Sequence, residues 1–262
     1  MRIHLYTMSW NEERMLPFFF NHYGSIVERF VVYDDGSTDR TLEILRALPC
    51  VEVREFQRSV VDSFVLSAQS LQNSCWKESR GSCDWVIMTA LDEHLHHKSL
   101  VDYLEEQKKS GVTAIPALGY QMVDDNFPED SVRLADALTR GAPFKMMNKL
   151  SIFNPNAIIE TNFAIGRHSA APIGNVKWPE RDEVLNLHYK YIGLGFIKER
   201  HALLRTGLGD LDKSNHWGHR YSFSEEELRQ DFEQFRQASV DLSAPGYVPH
   251  RDHCEERWWR LR

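Results

Sequence analysis

The chain reads as an α/β fold with a mostly parallel central sheet flanked by helices, and two observations predict this. Strand-like and helix-like patterns alternate through its first half, the order that builds such a sheet. Two of the strand-like segments also run directly into acidic turns, Asp34-Asp35 and Asp92-Glu93. Sheets of this class bind ligands at the carboxyl ends of their strands, which is where both acidic turns fall.

Strands are expected over 2–7, 29–33, 51–55, 85–89 and 113–122, and helices over 12–24, 40–48, 60–77 and 99–110. After the first strand, Asn11-Glu12-Glu13-Arg14-Met15-Leu16 opens a helix. The second strand enters Tyr33-Asp34-Asp35-Gly36-Ser37-Thr38-Asp39-Arg40-Thr41. There Gly36 relieves the turn sterically, and Ser37, Thr38 or Asp39 can cap the helix that Thr41 begins. An ordinary capped turn accounts for these residues as well as a ligand-binding one does. The run Trp85 to Leu95 ends its strand in Asp92-Glu93, so His94, His96 and His97 are expected to enter a loop or helix start. A zinc site there lacks a third ligand at matching spacing.

Residues 124–143, rich in Asp, Asn, Pro and Gly, form a long loop with a short helical piece around Ser131 to Thr139. Loops of that length in compact domains are often functional. A strand follows over Lys149–Phe153, then an irregular stretch to Pro179 and a strand-like Val184–Tyr189. Helices are expected over 194–206 and 224–238, the latter with Ser224 and Glu227 at capping-box spacing. Beyond Val240 the chain reads as a polar, proline-containing tail, and no internal repeat is evident.

With 262 residues and a formal net charge of −7, the chain can bury a substantial core and offers no basic face for nucleic acid. Its four cysteines lack zinc-ribbon spacing, and no signal peptide or long apolar run precedes them, so a cytoplasmic location with reduced thiols is expected. Leu16-Pro17-Phe18-Phe19-Phe20 is interrupted at Asn21 and cannot cross a bilayer. The ending Arg257-Trp258-Trp259-Arg260-Leu261-Arg262 allows two readings. It suits a peripheral contact with the inner membrane face or an anionic lipid-linked substrate, or a tail docking its tryptophans on its own domain or a sister subunit.

The order and wording of "NE", "DDGSTD" and the acidic strand end at Asp92-Glu93 resemble glycosyltransferase family 2, a group with the GT-A fold, over residues 1–235. The resemblance is most specific in the first hundred residues. It implies one nucleotide-sugar-binding domain over 1–240, with a nucleotide-binding half (1–123), an acceptor and lid half (124–240) that is largely helical toward its end, and a tail over 241–262. The family pattern Asp-x-Asp places the metal ligand at Asp92, while Ala90 stands where the first carboxylate, a ribose contact, is usual. Glu93 would support Asp92 by hydrogen bonding, although Asp92 and Glu93 also read as plain caps of a following helix.

The late "HY…K" element maps onto His188-Tyr189-Lys190, which implies that His188 completes the metal or diphosphate site. Lys190, Lys198 and Arg205 would bring charge to the phosphates. His216 to Tyr221 reads as a capped lid in which His219, Arg220 and Tyr221 offer donors. Donor recognition would use the Met8–Asn11 region, with Ser9 and Asn11, and Asp35 on the base, leaving Asp34 and Asp39 to structural work. The general base of an inverting transfer has no clear copy between Glu160 and Asp182; Glu160, Asp124 and Asp125 are candidates, each also readable as a loop carboxylate.

The resemblance therefore implies a glycosyltransferase, inverting and dependent on a divalent cation (Mn²⁺ or Mg²⁺). It would move a sugar from a nucleotide-sugar donor, UDP-hexose first, to a hydroxyl of a glycan or lipid-linked acceptor. Such a cation neutralises charge developing on the departing diphosphate. Ala90 keeps open a non-catalytic nucleotide-sugar-binding module of the same fold. Nucleotidyl transfer ranks last, since it wants a glycine-rich basic phosphate loop where this chain has Ser9-Trp10-Asn11-Glu12-Glu13.

Overall fold

Leu5, Tyr6, Phe30, Val31 and Val32 are all fully shielded from solvent, so the strands carrying them are covered on both faces. That is why they read as apolar runs and not as an alternation. The computed structural model describes residues 1–129 and 132–261. In it β1 (Ile3–Ser9) leads to α1 (Leu16–Tyr23), β2 (Arg29–Asp34), α2 (Thr41–Arg46), β3 (Val51–Glu55), α3 (Phe64–Ser74) and β4 (Trp85–Met88). β3, β2, β1 and β4 lie side by side and are parallel throughout, as the alternation predicts.

Beyond β4 come β5 (Glu93–His96), α4 (Leu100–Lys109), β6 (Ala114–Asp124), α5 (Leu134–Ala137), β7 (Arg140–Pro143) and β8 (Lys149–Phe153). A small hairpin of β9 (Ile158–Glu160) and β10 (Ile173–Gly174) precedes β11 (Leu185–Ile192). β8 joins the sheet antiparallel between β4 and β6, and β11 runs parallel to β6 and antiparallel to β5. The chain closes with α6 (Leu194–Gly207), α7 (Asp210–Ser214), α8 (Glu225–Ala238), β12 (Val240–Asp241) and α9 (Pro249–Asp252).

Three expectations change. The first helix starts at Leu16 and not near residue 12, because Asn11 takes a left-handed φ of 52° and Glu12, Glu13 and Asn11 bond to the Ser37–Thr41 turn instead. His94 and His96 lie in β5, not in a loop, because the backbone there pairs with β11. Of the helical piece expected over Ser131–Thr139, α5 is present, while Ser131 lies outside the described residues.

The tail is docked. Asp182, fully buried, accepts hydrogen bonds from Arg257 Nη1 (3.0 Å), Arg260 Nη2 (2.7 Å) and the Trp259 indole (3.0 Å). Trp258 donates its indole N–H to the Asn148 carbonyl at 2.9 Å, and Trp259 joins the main apolar core. Trp258, Trp259 and Arg257 thus pack on or bond to the protein's own domain. Among the described residues, no helix is long and apolar enough to cross a membrane.

The core also encloses neutral imidazoles. His94 stacks on His22 with ring centroids 4.7 Å apart, against Phe19, Tyr23 and Tyr189. Burial pushes His22 and His253 down to about 4, His201 to about 3, and His94 well below its usual value of 6.5. These groups take up protons in the unfolded chain below pH 6.5 but resist them in the folded one. Their stabilisation is therefore complete above that pH and is lost as pH falls toward 4. Urea unfolding should show stability declining between pH 6.5 and 4, and His22→Gln should flatten the slope by about 1.4 kcal/mol per pH unit, the value for one proton. Equal slopes in the two proteins would exclude His22 as a contributor.

Candidate functional site

The carboxyl end of the parallel strands is built from interlocked turns. Asp34, buried at the end of β2, accepts Ser9 Oγ (2.8 Å), Ser37 Oγ (2.6 Å) and the backbone N–H groups of Gly36 (3.0 Å) and Ser37 (2.8 Å). Gly36 adopts φ 76°, a conformation costly for side chains with a Cβ. Asn11 Oδ1 accepts the Thr38 and Asp39 N–H groups, while Asp39 caps Thr41 and holds the Glu13 N–H. Ser9 and Asn11, expected to meet a donor, spend these polar atoms on the turn itself. What the turn presents is Asp35.

Asp35 is paired with a residue that sequence reasoning did not select. Arg58 Nη2 lies 2.7 Å from Asp35 Oδ2, and the same guanidinium donates to the Gly207 carbonyl at 2.9 Å. Arg58 thus ties the β2 turn to the end of α6. A neighbouring approach is tighter still: a Cβ at Gly209 would lie 1.9 Å from the Asp62 carbonyl oxygen. Buried Asp212 bonds Ser63 Oγ and the Phe64 and Gly209 N–H groups, which fixes α7 on the start of α3.

Asp92 sits in the tight turn between β4 and β5. That turn is pinned by the Glu93 N–H to the Ala90 carbonyl (3.1 Å) and by the Tyr189 N–H to the Asp92 carbonyl (2.7 Å). Antiparallel pairing sets His188 opposite Glu93, and His188 Nε2 comes to 3.3 Å from Asp92 Oδ2. On the other side, His188 is in register with Gln121 of β6, whose Oε1 lies 2.7 Å from His188 Nδ1. Burial opposes ionisation of Asp92, but His188, Lys190 and Arg200 outweigh it and hold the carboxyl far below the usual range.

Cations gather from β11 and α6. Lys190 Nζ lies 3.2 Å from the Tyr221 hydroxyl and over that ring, so within His216–Tyr221, expected to form a lid, Tyr221 is the residue that meets Lys190. Arg200 pairs with Glu12 and donates to the carbonyls of Trp10 (2.9 Å) and Asn11 (3.1 Å). Burial pushes Glu12 up to about 7, opposed by Arg200 and reinforced by Asp92. The other expected donors lie elsewhere. Lys198 forms a surface pair with Glu225 (2.8 Å), Arg205 and His219 are exposed, and Arg220 is held by Asp231 (3.2 Å) between the rings of Phe144 and Phe235. Helical geometry explains the substitution of Arg200 for Lys198, since residues two apart on a helix do not share a face.

Glu93 does not support Asp92 directly. It is buried between Lys149 Nζ (2.5 Å) and Arg167 Nη2 (2.6 Å), and Arg167 also donates to the Met88 carbonyl at 2.6 Å. Arg167 adopts φ 58° and lines a cleft with Thr7, Met8, Gln72, Thr89 and Ala90. Where the Asp-x-Asp pattern has its first carboxylate, the cleft thus has the Ala90 methyl group, with the Arg167 guanidinium in the same lining. Lys149 and Arg167 carry no local motif, and only the folded chain brings them to Glu93.

None of the three base candidates joins this cluster. Glu160 is clamped by Lys77 through both carboxylate oxygens (2.7 and 2.6 Å) on the β9–β10 hairpin. Asp124 accepts the Asn126 N–H at 3.0 Å in a turn, and Asp125 is exposed. Each carboxylate serves or borders a local turn or ion pair.

Among the described residues, no group of three or more His, Cys, Asp or Glu converges. Asp92 and His188 nevertheless fit a divalent cation. When the His188 ring is neutral with its proton on the nitrogen facing Gln121, Nε2 and Asp92 Oδ2 turn lone pairs on each other, and a cation between them would relieve the repulsion. Mg²⁺ takes one or two protein carboxylates and completes its sphere with phosphate and water, and Mn²⁺ accepts imidazole as well.

The family model for Glycosyltransferase family 92 matches residues 6–237. Among solved structures, residues 1–349 of TarS from S. aureus align over 91% of this chain and 71% of that one, at 12% identity and a TM-score of 0.43. Glucosyl-3-phosphoglycerate synthase from Mycobacterium tuberculosis, in complex with Mn²⁺, UDP and glucosyl-3-phosphoglycerate, aligns over 45% of this chain and 44% of its own, at 18% identity and a TM-score of 0.32. No curated protein sequence matches. The family whose model spans the chain is thus family 92; this bears out the glycosyltransferase resemblance but does not show the family 2 subgroup.

Proposed function

Because the chain belongs to glycosyltransferase family 92 and is a glycosyltransferase, we propose that it moves a hexose from a UDP-linked donor to a hydroxyl of a glycan or lipid-linked acceptor, with Mn²⁺ or Mg²⁺. One observation carries this reading: the Asp92–His188 pair, 3.3 Å apart, beside Lys190 and Arg200 at the carboxyl end of the strands. When bound there, a divalent cation acts as a Lewis acid on the diphosphate oxygens.

The protein's own groups divide the remaining work. Asp92, its carboxyl held well below the usual range, and His188 would hold the cation, and Lys190 and Arg200 add positive charge where the diphosphate departs. Tyr221, resting on Lys190, closes the lid over the leaving group. Asp35, oriented by Arg58, bonds the base, and the Ala90 cleft takes the ribose through backbone groups and Arg167. Inversion at the anomeric carbon remains part of the proposal, and no side chain is assigned as base. Its four cysteines carry no disulfide, which suits a reducing compartment.

The test is a panel of nucleotide sugars with glycan and lipid-linked acceptors, with and without Mn²⁺, scored by nucleotide release, product mass and anomeric configuration. UDP release with a mass gain of one hexose supports the reading. Nucleotide binding without transfer to any acceptor refutes it. Asp35→Asn should raise the donor KM about 10- to 100-fold with little change in kcat, the worth of one charged hydrogen bond. An unchanged KM for UDP donors would remove Asp35 from base recognition.

A further inference from the structure

Gln121 lies in β6 and is 1% exposed; its Nε2 also reaches the Met122 carbonyl at 3.4 Å, but its shorter bonds go to its β11 neighbour. Its side chain makes two hydrogen bonds to the same residue. Nε2 donates to the His188 carbonyl at 3.0 Å, and Oε1 faces His188 Nδ1 at 2.7 Å. The first bond decides the second. With the amide nitrogen committed to a carbonyl, only the oxygen can face the ring, so Nδ1 must be the protonated nitrogen. In the neutral ring, Nε2 then carries the lone pair, beside Asp92.

We infer that Gln121 is a positioning residue: it fixes the His188 tautomer and thereby presents Nε2 to the cation. The inference rests on the proposed cation site. Partners of this kind on a ligating imidazole are worth about 10- to 100-fold in metal affinity. Without the amide oxygen, the better arrangement places the proton on Nε2, donating to Asp92, which blocks that nitrogen as a ligand.

The experiment compares wild type, Gln121→Leu and Gln121→Glu by ¹⁵N NMR of the His188 ring in metal-free protein and by Mn²⁺ titration read by electron paramagnetic resonance. Wild type should carry the neutral-ring proton on Nδ1. In Gln121→Leu the proton should move to Nε2, with Mn²⁺ affinity falling about 10- to 100-fold. Gln121→Glu keeps an acceptor for Nδ1–H, so it should retain the wild-type tautomer and stay within a few-fold in Mn²⁺ affinity. A merely structural glutamine would change thermal stability without moving the ring proton. An Nδ1–H tautomer unaltered in Gln121→Leu overturns the inference. If the proton moves as expected but wild type binds no Mn²⁺, the cation site fails while the positioning role stands.

Discussion

Asp92→Asn is expected to lower kcat by about 10²- to 10³-fold or more, because it removes the one anionic cation ligand of the Asp92–His188 pair and leaves the departing diphosphate unneutralised. The amide is nearly the same size, so the β4–β5 turn should persist. Its anchors are backbone groups, the Tyr189 N–H on the Asp92 carbonyl and the Glu93 N–H on the Ala90 carbonyl. Mn²⁺ affinity should therefore fall with kcat, and stability should fall too, because His188, Lys190 and Arg200 lose the carboxylate among them, while the fold persists. Steady-state kinetics on UDP donors and a Mn²⁺ titration of the same variant check this. Donor turnover at the wild-type rate would exclude Asp92 from the chemistry.

Asp182→Ala is expected to cost about 3–5 kcal/mol, the range for removing one partner of a buried ion pair. Asp182 is fully buried and holds Arg257 and the Trp259 indole, both largely enclosed, whereas Arg260 is about one-third exposed and contributes less. Its loss leaves a guanidinium and an indole N–H without their acceptor beneath the core. The tail should then detach, so protease cleavage after the tail arginines should accelerate along with the drop in urea midpoint. A loss under about 0.5 kcal/mol, the range of ordinary surface substitutions, would mean the tail is not held by this carboxylate.

In the parallel half, β1, β2 and β4 were legible as short apolar runs, and β3 as an alternation of Val with charged residues. Helices with two-sided signals were legible too: Ser224 and Glu227 form the capping box that their spacing announces. β5 was not legible, since Glu93-His94-Leu95-His96 has no β-branched residue and becomes a strand only through pairing with β11. The docked tail was one of the two readings open in the sequence, and its partners could not be named from it. Trp258, Trp259 and Arg260 look amphipathic in isolation, while the partner of Trp259 and Arg260, Asp182, and that of Trp258, Asn148, lie far earlier in the chain, beyond any local pattern.

In the site, Asp92 and His188 were legible from motif wording, and the fold brings them to 3.3 Å. Arg58, Gln121, Lys149, Arg167 and Arg200 were missed because each acts through a partner distant in sequence. Conversely, Ser9, Asn11, Glu160, Lys198 and Arg220 are polar residues of suitable type whose hydrogen bonds are already taken locally or at the surface. Residue type near a strand end marks a candidate, but register decides which candidates meet. The pairing of His188 with both Glu93 and Gln121 shows how one strand position can assemble a site from three segments.

The most direct measurement is nucleotide release from UDP-hexose donors by chelator-treated protein, before and after adding back Mn²⁺ or Mg²⁺. If Asp92 and His188 hold a cation that neutralises the leaving diphosphate, release should fall to background in chelator and return on metal addition. Undiminished sugar transfer in the presence of chelator would contradict it.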